Sequence, residues 1–497
     1  MPVFSRRGFL AASAAATAVA QLPRMARAEA PAIPLRATRR TIEVEGRAAT
    51  VWGLAGPSGQ GLVIDPGARF RVDLTNELPE PTLIHWHGQI PPNAQDGVPD
   101  LPLPKLAPGE TRRYDYAPIP GTYWMHAHIP LQEMRLLAAP LIVRSAADAA
   151  ADRQEVVMVL HDFSFQPPEE VMAAIAGGHA PEGHGAMDHS AMNHGTMPMA
   201  GMDHAAMPGM DHGAMPMEGT PGGAAMAMDL NDYDWDAYLA NDRTLTDPEV
   251  VAVERAGRVR LRIVNAAAAT VFWIDTGALE ARLVAVDGHG VEPLRGTRFG
   301  IAMAQRLDLE LDLPGAGAWP ILAIREGARE RTGLILATPG AAVARLAPLA
   351  EEAAPAFDTA LSQEARLAAL DPLPARAVQR GHMMMLGGTM QPYRWTIDGR
   401  TWPDHIPIAA QSGERVEIMF HNMSMMGHPM HLHGHTFHVV EVNGTRLQGA
   451  RRDTVYVPPM ATVTIAFDAG EAARWMLHCH HMPHLETGMM TELAITA

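Results

Sequence analysis

Short runs in which apolar and polar residues alternate recur along most of this chain. Residues 41–44, 70–74 and 113–116 alternate with period two, and Pro- and Gly-containing stretches separate them. Successive side chains of a β-strand point to opposite faces, so this pattern predicts half-buried strands. Several such strands close together predict a Greek-key β-sandwich over residues 39–148.

The same pattern returns twice, which predicts an all-β protein of three consecutive β-sandwich domains. The strands predicted for the second domain, residues 150–340, cover 156–160, 259–264, 281–286 and 306–313. Those predicted for the third domain, residues 378–497, cover 394–397, 415–420 and 462–467. An Ala-, Glu- and Pro-rich linker, 341–377, separates them, and residues 358–370 within it are predicted to form a short helix.

Composition narrows the class of protein. A chain of 497 residues exceeds one ordinary domain, and 47% hydrophobic residues are enough to build cores. The formal charge of −16 argues against a nucleic-acid partner, which would require a basic face. Cys479 is the one cysteine, so an internal disulfide framework is excluded.

Residues 1–28 have the pattern of an export signal. Ser5-Arg6-Arg7-Gly8-Phe9-Leu10 is a twin-arginine motif, a small apolar run follows, and Ala26-Arg27-Ala28 offers a cleavage site. The alternative is an uncleaved membrane anchor, but the run is shorter than a spanning helix requires. We therefore predict export by the twin-arginine machinery to the periplasm, with no stable membrane insertion after cleavage.

A compositionally biased insertion interrupts the second predicted domain at 179–228. Eleven of its fifty residues are methionine and six are histidine, and Met-Asp-His recurs at Met187, Met202 and Met210. Lacking periodic bulky groups, it is predicted to be a mobile loop. Thioethers select Cu(I) and imidazole accepts either copper state, so the loop is predicted to collect copper rather than to be a mere spacer.

The carboxyl-terminal part of the chain contains the densest set of metal-binding residue types. Cys479 lies between His478 and His480. On an extended strand the thiolate would point to one metal and the two imidazoles to the other side. This arrangement favours electron movement between two centres over the holding of one ion.

The first of these centres is predicted to be a blue-copper site. Such a site needs a thiolate, two imidazoles and a weak axial methionine. His484 supplies one imidazole, His428 is the candidate for the other, and Met489, ten residues after Cys479, is the candidate axial ligand.

The second centre is predicted from four His-x-His pairs. Each pair places two rings on one face of its strand. The pairs are His85 and His87, His126 and His128, His431 and His433, and His478 and His480. Eight imidazoles suit three copper ions, if two ions bind three rings each and the third binds two.

With these motifs the chain resembles the multicopper oxidases. The resemblance spans residues 40–497 and rests on four segments in that family's order: His85-Trp86-His87-Gly88, Trp124-Met125-His126-Ala127-His128, 428–434 and 478–489. It implies cupredoxin-like domains and four copper ions, one of type 1, one of type 2 and two of type 3. It implies an enzyme that couples four one-electron oxidations of a substrate to the reduction of O2 to two waters.

The resemblance also assigns the ligands. The type 1 copper would be held by His428, Cys479, His484 and Met489. The type 2 copper would be held by His85 and His431. The type 3 pair would be held by His87, His126, His128, His433, His478 and His480.

Two acidic residues are candidates for proton delivery. Asp96 follows the first histidine pair, and in related enzymes an aspartate at the matching place lies near the type 2 copper; the alternative is a turn aspartate. Many relatives have an acidic residue directly after the last type 1 histidine, where this chain has Leu485. Glu486 lies one place further along.

The methionines before His428 bear on the substrate. Met423, Met425 and Met426 are predicted to form a route for Cu(I), although gap-filling core residues are the usual role of methionine. We therefore predict a cuprous oxidase serving copper tolerance. A laccase-like oxidase of small phenols is the alternative within the enzyme class, favoured by the stretch 433–438, and a copper-sequestering protein is the alternative outside it.

Overall fold

The structure, a computed structural model, describes residues 31–178 and 230–497. The predicted export signal and the predicted copper-collecting insertion, with Met187, Met202 and Met210, lie outside these ranges. The predicted fold class is confirmed, because three successive pairs of β-sheets follow one another along the chain. Within the described ranges, no helix is long and apolar enough to cross a membrane.

The first domain pairs a five-stranded sheet with a four-stranded sheet. Its strands are β1 (Ile33–Val44), β2 (Arg47–Gly56), β3 (Gly59–Gln60), β4 (Leu62–Ile64), β5 (Phe70–Asn76), β6 (Ile84–His87), β7 (Val98–Pro99), β8 (Pro102–Leu103), β9 (Thr111–Tyr116), β10 (Gly121–Ala127) and β11 (Ala138–Val143). The sheet orders are β3-β2-β1-β5-β9 and β4-β11-β10-β6, and β7 pairs with β8 alone. β5 buries every second residue, as the alternation predicts, whereas β10 is buried along nearly its whole length.

The second domain is built the same way from a six-stranded and a five-stranded sheet. Its strands are β12 (Gln154–Phe163), β13 (Ala237–Ala240), β14 (Val250–Ala252), β15 (Arg258–Asn265), β16 (Phe272–Asp275), β17 (Ala281–Val286), β18 (His289–Gly296), β19 (Arg298–Ile301), β20 (Arg306–Asp312), β21 (Ala318–Arg325) and β22 (Arg331–Ala337). The orders are β13-β12-β15-β20-β17-β18 and β14-β22-β21-β16-β19.

The third domain contains the remaining strands. They are β23 (Arg380–Met390), β24 (Tyr393–Ile397), β25 (Ile408–Gln411), β26 (Arg415–Asn422), β27 (His428–Leu432), β28 (Phe437–Val442), β29 (Thr445–Arg446), β30 (Arg451–Arg452), β31 (Thr454–Val457), β32 (Thr462–Asp468), β33 (Arg474–Cys479) and β34 (Met490–Thr496). One sheet has the order β24-β23-β26-β32-β28-β29 with β30 beside β28, and the other has the order β25-β34-β33-β27-β31.

Helices are short in the described part of the chain. They are α1 (Pro130–Glu133), α2 (Ala146–Ala150), α3 (Pro168–Ala176) and α4 (Met482–Glu486). α1 of the first domain packs against α4 of the third. The helix predicted over 358–370 is wrong, since only the 3-10 turn Glu364–Arg366 forms there.

A buried ion pair joins the three domains beside the histidine pairs. Arg306 of β20 donates from Nη1 to Asp453 Oδ1 at 2.8 Å, and its Nη2 contacts the other carboxylate oxygen. Arg306 Nε donates to the main-chain oxygen of Thr122 in β10 at 3.2 Å. Both members of the pair are fully buried. The second domain therefore holds the first and third domains in contact at this point.

Candidate metal centre

The four histidine pairs lie on two strand pairs that face each other across the first and third domains. In the first domain β6 runs antiparallel to β10, which places His85 beside His126. In the third domain β27 runs antiparallel to β33, which places His431 beside His478. All eight rings are buried. The four pairs, which were predicted to form one centre, therefore come together in one pocket between the first and third domains.

Three of the rings converge on one point. The Nε2 atoms of His128, His433 and His478 are separated by 3.2 Å, 3.3 Å and 3.1 Å. A point equidistant from the three nitrogens lies about 1.9 Å from each, close to the roughly 2.0–2.1 Å of a metal–imidazole bond. Three buried rings in this arrangement fit a metal ion between them.

A second meeting point lies between His85 and His431. Their Nε2 atoms are 3.4 Å apart. Their Nδ1 atoms each donate to a main-chain oxygen at 2.8 Å, His85 to Asp96 and His431 to Asp453. With the proton fixed on Nδ1, each ring directs an Nε2 lone pair into the pocket, which is the tautomer a metal ligand requires.

The last three rings, those of His87, His126 and His480, form a third group. Their centroids are 4.9–5.5 Å apart. Within the described residues, His87 Nδ1, His126 Nε2 and both ring nitrogens of His480 have no hydrogen-bond partner. Buried polar atoms are normally satisfied, so these nitrogens also fit a metal ion.

Burial keeps these imidazoles neutral. It lowers the pKa of His478 to about 4 and that of His126 to about 3, and it holds the pKa of His85 and His431 well below the usual value. A neutral ring is the form that binds a metal.

Three buried carboxyl groups contact the outer nitrogens of these rings, and one of them is Asp453, whose Oδ1 lies 3.0 Å from His87 Nε2. His433 Nδ1 donates to Asp96 Oδ2 at 2.8 Å, and burial raises the pKa of Asp96 to about 8. Glu133 Oε2, at the end of α1, lies 2.6 Å from His126 Nδ1, and its Oε1 lies 3.8 Å from His480 Nδ1. Burial raises the pKa of Glu133 well above its usual value. Asp96 is thus part of the pocket rather than a simple turn residue.

On the other side of β33 lies the predicted thiolate site. Cys479 Sγ is 3.7 Å from His428 Nδ1 and 3.6 Å from His484 Nδ1, and the two nitrogens are 3.2 Å apart. All three side chains are buried, and burial raises the pKa of the Cys479 thiol. Met489 is also buried, and its main-chain oxygen accepts a hydrogen bond from the Cys479 amide at 3.1 Å.

The outer edges of this second site are held by polar and aromatic groups. Ser424 Oγ lies 2.9 Å from His428 Nε2. Asp232 Oδ2 lies 3.5 Å from His484 Nε2 and accepts a hydrogen bond from the hydroxyl of Tyr393. Trp395 stacks on His484 with ring centroids 4.1 Å apart. These contacts fix both rings with Nδ1 toward the sulfur.

The two sites are joined through one strand end. Cys479 Sγ faces His428 and His484, whereas the neighbouring ring of His478 reaches His128 and His433 on the opposite side. The alternation of side chains along β33 therefore places the sulfur and the eight-ring pocket one residue apart.

Not every predicted residue lies in the pocket. Glu486 is exposed at the end of α4, and its pKa is raised by partial burial and then by the nearby charge of Glu169. Leu485 is buried. Met426 and Met425 lie in the loop before His428, while Met423 is exposed at its outer end.

Sequence reasoning missed three carboxylates: Glu133, Asp232 and Asp453. Each is an isolated acidic residue with no spacing motif, and each reaches its histidine only through the tertiary fold. Glu133 had one usable signal, because it follows the pair ending at His128 by five residues.

Known proteins are similar to this chain in sequence and in fold. Family models described as "Multicopper oxidase" match residues 36–148, 155–343 and 377–497. Multicopper oxidase MmcO of Mycobacterium tuberculosis is 29% identical over 99% of this chain and 96% of that protein. The Copper resistance protein A homolog of Pseudomonas syringae pv. tomato is 25% identical over 91% of this chain and 90% of that protein. Fet3p, described as a multicopper oxidase that functions in iron import, superposes with a TM-score of 0.73 at 17% identity, covering 93% of this chain and 90% of that chain.

Proposed function

The chain belongs to the multicopper oxidase family, a family of copper-using oxidoreductases, and we propose that it oxidises Cu(I) to Cu(II) with O2 as the electron acceptor. The balanced reaction consumes four Cu(I) ions, one O2 and four protons, and it yields four Cu(II) ions and two waters. A relative named as a copper resistance protein supports a role in copper tolerance.

We assign four resident copper ions to the two sites. His428, Cys479, His484 and Met489 would hold the type 1 ion. His85 and His431 would hold the type 2 ion. One type 3 ion would be held by His128, His433 and His478, and the other by His87, His126 and His480. When bound, these ions supply one-electron chemistry at the first site and the reduction of O2 at the second.

The protein's own contribution is to connect and to enclose these sites. The bonds from Cys479 to His478 and His480 give a short covalent path between them, and burial excludes water from both. The polar partners of the outer nitrogens of His85, His431 and His433 orient these rings before any ion binds, which raises ligand basicity and affinity.

Four protons must reach the O2 site in each cycle. Asp96, hydrogen bonded to His433, is the residue proposed to hold a proton there. Glu486 remains a candidate for taking protons from solvent, because it is exposed on the helix that also contains His484.

The observation that carries the cuprous assignment is a gradient of burial along the methionines that precede His428. Met423 is 54% exposed, Met425 is half-buried and Met426 is 3% exposed. The exposure of the methionine side chains therefore falls along the chain toward His428, and thioether is the ligand type that selects Cu(I). A core-filling role explains Met426 but leaves the exposed Met423 without a purpose.

The flanks of the Met- and His-rich insertion lie at the same end of the third domain. Gly178, before it, packs against the side chain of Gln391 in the turn between β23 and β24. Asp232, after it, lies 3.5 Å from His484 Nε2. A copper-collecting role for residues 179–228, with Met187, Met202 and Met210, is consistent with this attachment beside the type 1 site.

A kinetic comparison of two substrates tests the cuprous assignment against the laccase-like alternative. Met426→Leu should lower kcat/KM for Cu(I) and spare the oxidation of a small phenol, because only the former needs a thioether ligand. Met158→Leu is the matched control, since it removes an equally buried thioether from the second domain. Equal loss of both activities, or no loss of cuprous activity, would refute the proposed route.

Deletion of 179–228 tests the insertion, and a copper count tests the sequestering alternative. The deletion should reduce cuprous oxidation and leave phenol oxidation intact.

The number of copper ions bound per chain separates the oxidase from a sequestering protein. About four tightly held ions with an intense blue colour indicate the oxidase, whereas many weakly held, colourless ions indicate sequestration.

We also infer export to the periplasm by the twin-arginine machinery. The support is the motif at 5–10 and the cleavage pattern at 26–28. Replacing Arg6 and Arg7 with lysine should keep the protein in the cytoplasm, as cell fractionation would detect.

A further inference from the structure

The outer face of one sheet in the third domain carries an unusual set of side chains. β23 and β26 bury alternate residues, so Met384 and Phe420 point into the core. The residues between them face outward. On these two strands the outward set includes Met383, Met385, Met419 and His421, which we name the outer Met/His cluster.

The strand register brings the four side chains together. β23 and β26 are parallel, with Met383 beside Met419 and Met385 beside His421. Adjacent strands lie about 4.7–4.9 Å apart, and residues two apart on one strand share a face. Methionine has three rotatable side-chain bonds, so the sulfurs can adjust toward one another and toward the ring.

Packing does not explain this cluster. The solvent face of a sheet is normally polar, yet Met383 is 62% exposed. Met383 and Met419 line an open groove of about 290 Å³. Within residues 31–178 and 230–497, the ring nitrogens of His421 make no hydrogen bond. The thioethers and the imidazole are accessible to a ligand.

The charges in the groove favour a soft ligand over a hard cation. Glu417 accepts two hydrogen bonds from Arg446 at 2.9 Å and 3.0 Å, and Glu441 lies 3.0 Å from the same guanidinium. The carboxylates that would bind a hard cation are thus engaged with an arginine. The thioethers of Met383 and Met419 remain in the groove, and the paired residues Met385 and His421 follow them on the same face of the sheet. Three thioethers and one imidazole form a set that selects Cu(I).

The cluster is continuous with the methionines before the type 1 site. The outward residues of β26 include Met419 and His421. Met423 follows directly after the strand, and its amide donates to the Leu386 oxygen of β23 at 2.8 Å. The next residue, Ser424, contacts His428. The carboxyl end of β26 therefore leads from the cluster to the type 1 site.

We propose that the outer Met/His cluster binds one Cu(I) ion and supplies it to the methionines before His428. The supply role rests on the proposed cuprous oxidase function, whereas Cu(I) binding by the cluster does not. The two parts are therefore tested by separate measurements.

Ag(I), a soft monovalent ion that the enzyme does not oxidise, is the probe for binding. It is titrated into the full-length, copper-loaded and fully reduced enzyme labelled with 13C at the methionine methyl groups, without oxygen. The methyl resonances of Met383, Met385 and Met419 should shift together. The triple variant with leucine at these positions should bind one Ag(I) fewer than the wild type, and Met460→Leu, at a 63% exposed site outside the cluster, should bind the wild-type number.

Three resonances that stay in place while other methionines saturate would overturn the binding site, as would an unchanged Ag(I) count in the triple variant. For the supply role, the triple variant should raise KM for Cu(I) without lowering kcat. An unchanged KM would overturn the supply role. Absence of cuprous turnover in the wild type, with Ag(I) bound at the cluster, would refute the proposed function and leave the site standing.

Discussion

Asp453 provides the sharpest test of how the fold holds the histidine pocket. Its carboxylate is fully buried between three domains, where Oδ1 lies 3.0 Å from His87 Nε2 and both oxygens contact Arg306. The substitution Asp453→Asn keeps the shape of the side chain and one acceptor oxygen, but it removes the negative charge. The guanidinium of Arg306 is then left buried without its principal partner.

The expected cost follows from burial. Removing one partner of a buried ion pair destabilises a protein by about 3–5 kcal/mol, because the remaining charge is uncompensated. Asp287 Oδ1 lies 3.7 Å from Arg306 Nη1 and offers partial compensation. We therefore expect a loss of about 3 kcal/mol in the free energy of unfolding, the lower end of that range.

The matched control is the surface pair of Arg113 and Asp73, joined by two hydrogen bonds of 2.7 Å. Both side chains are partly exposed, at 63% and 32%, so Asp73→Asn should cost roughly 0–1 kcal/mol. Urea unfolding monitored by tryptophan fluorescence measures both variants. Because a chain of several domains need not unfold in one step, the two are compared on the same transition at a common slope.

A loss of unfolding free energy in Asp453→Asn no greater than that in Asp73→Asn would mean that the buried ion pair does not stabilise the protein. A second comparison, between copper-free and copper-loaded protein, distinguishes the contribution of the ion pair to stability from that of the metal site. The loss should persist in copper-free protein, because Arg306 does not depend on copper for its partner. A loss confined to the copper-loaded protein would mean that Asp453 acts only through His87.

Three further predictions concern the sites directly. Cys479→Ser should abolish the intense blue absorption and all turnover while leaving the far-ultraviolet circular dichroism unchanged, and retained colour would exclude the thiolate as a ligand. Removing copper with a chelator should lower the midpoint of thermal unfolding, since the ions bind only the folded pocket; equal midpoints would contradict the proposed ligands. Glu133→Ala should weaken copper retention by about 10–100-fold by freeing the His126 ring, whereas Glu133→Gln keeps an acceptor and should retain most of it; indistinguishable variants would argue against a positioning role.

Local alternation was sufficient to predict some of the strands, because a half-buried strand is encoded by its own residues. The prediction over 70–74 corresponds to β5 (Phe70–Asn76), and that over 462–467 corresponds to β32 (Thr462–Asp468). The helix predicted over 358–370 fails for a tertiary reason. Glu364 is bound to the buried guanidinium of Arg452 and Gln363 bonds to the main chain of Gly300, so contacts with two other segments override the helical preference of this stretch.

The convergence of the histidine pairs was predictable for a similar reason. A His-x-His spacing fixes two rings on one face of a strand wherever that strand lies. A single acidic residue has no such spacing, so the sequence does not show which histidine it will contact. Glu133 contacts His126 because α1 turns back over the end of β10, and no local sequence pattern predicts that contact. Glu486 had the better sequence argument, yet it is exposed, while Glu133 lies beside two of the rings.

The placement of the pocket explains why a domain without histidine pairs is required. The strand pair β6 and β10 and the strand pair β27 and β33 each present four rings, and neither set alone could surround the three ions proposed for the pocket. The two sets come from opposite ends of the chain, so their alignment depends on whatever holds the first and third domains together. Arg306 of the second domain does this by binding Thr122 of one and Asp453 of the other in a single buried contact. Asp453 also contacts His87, so only one side chain separates Arg306 from a ring of the pocket. A change in the alignment of the domains should therefore first cause loss of copper from the group of His87, His126 and His480.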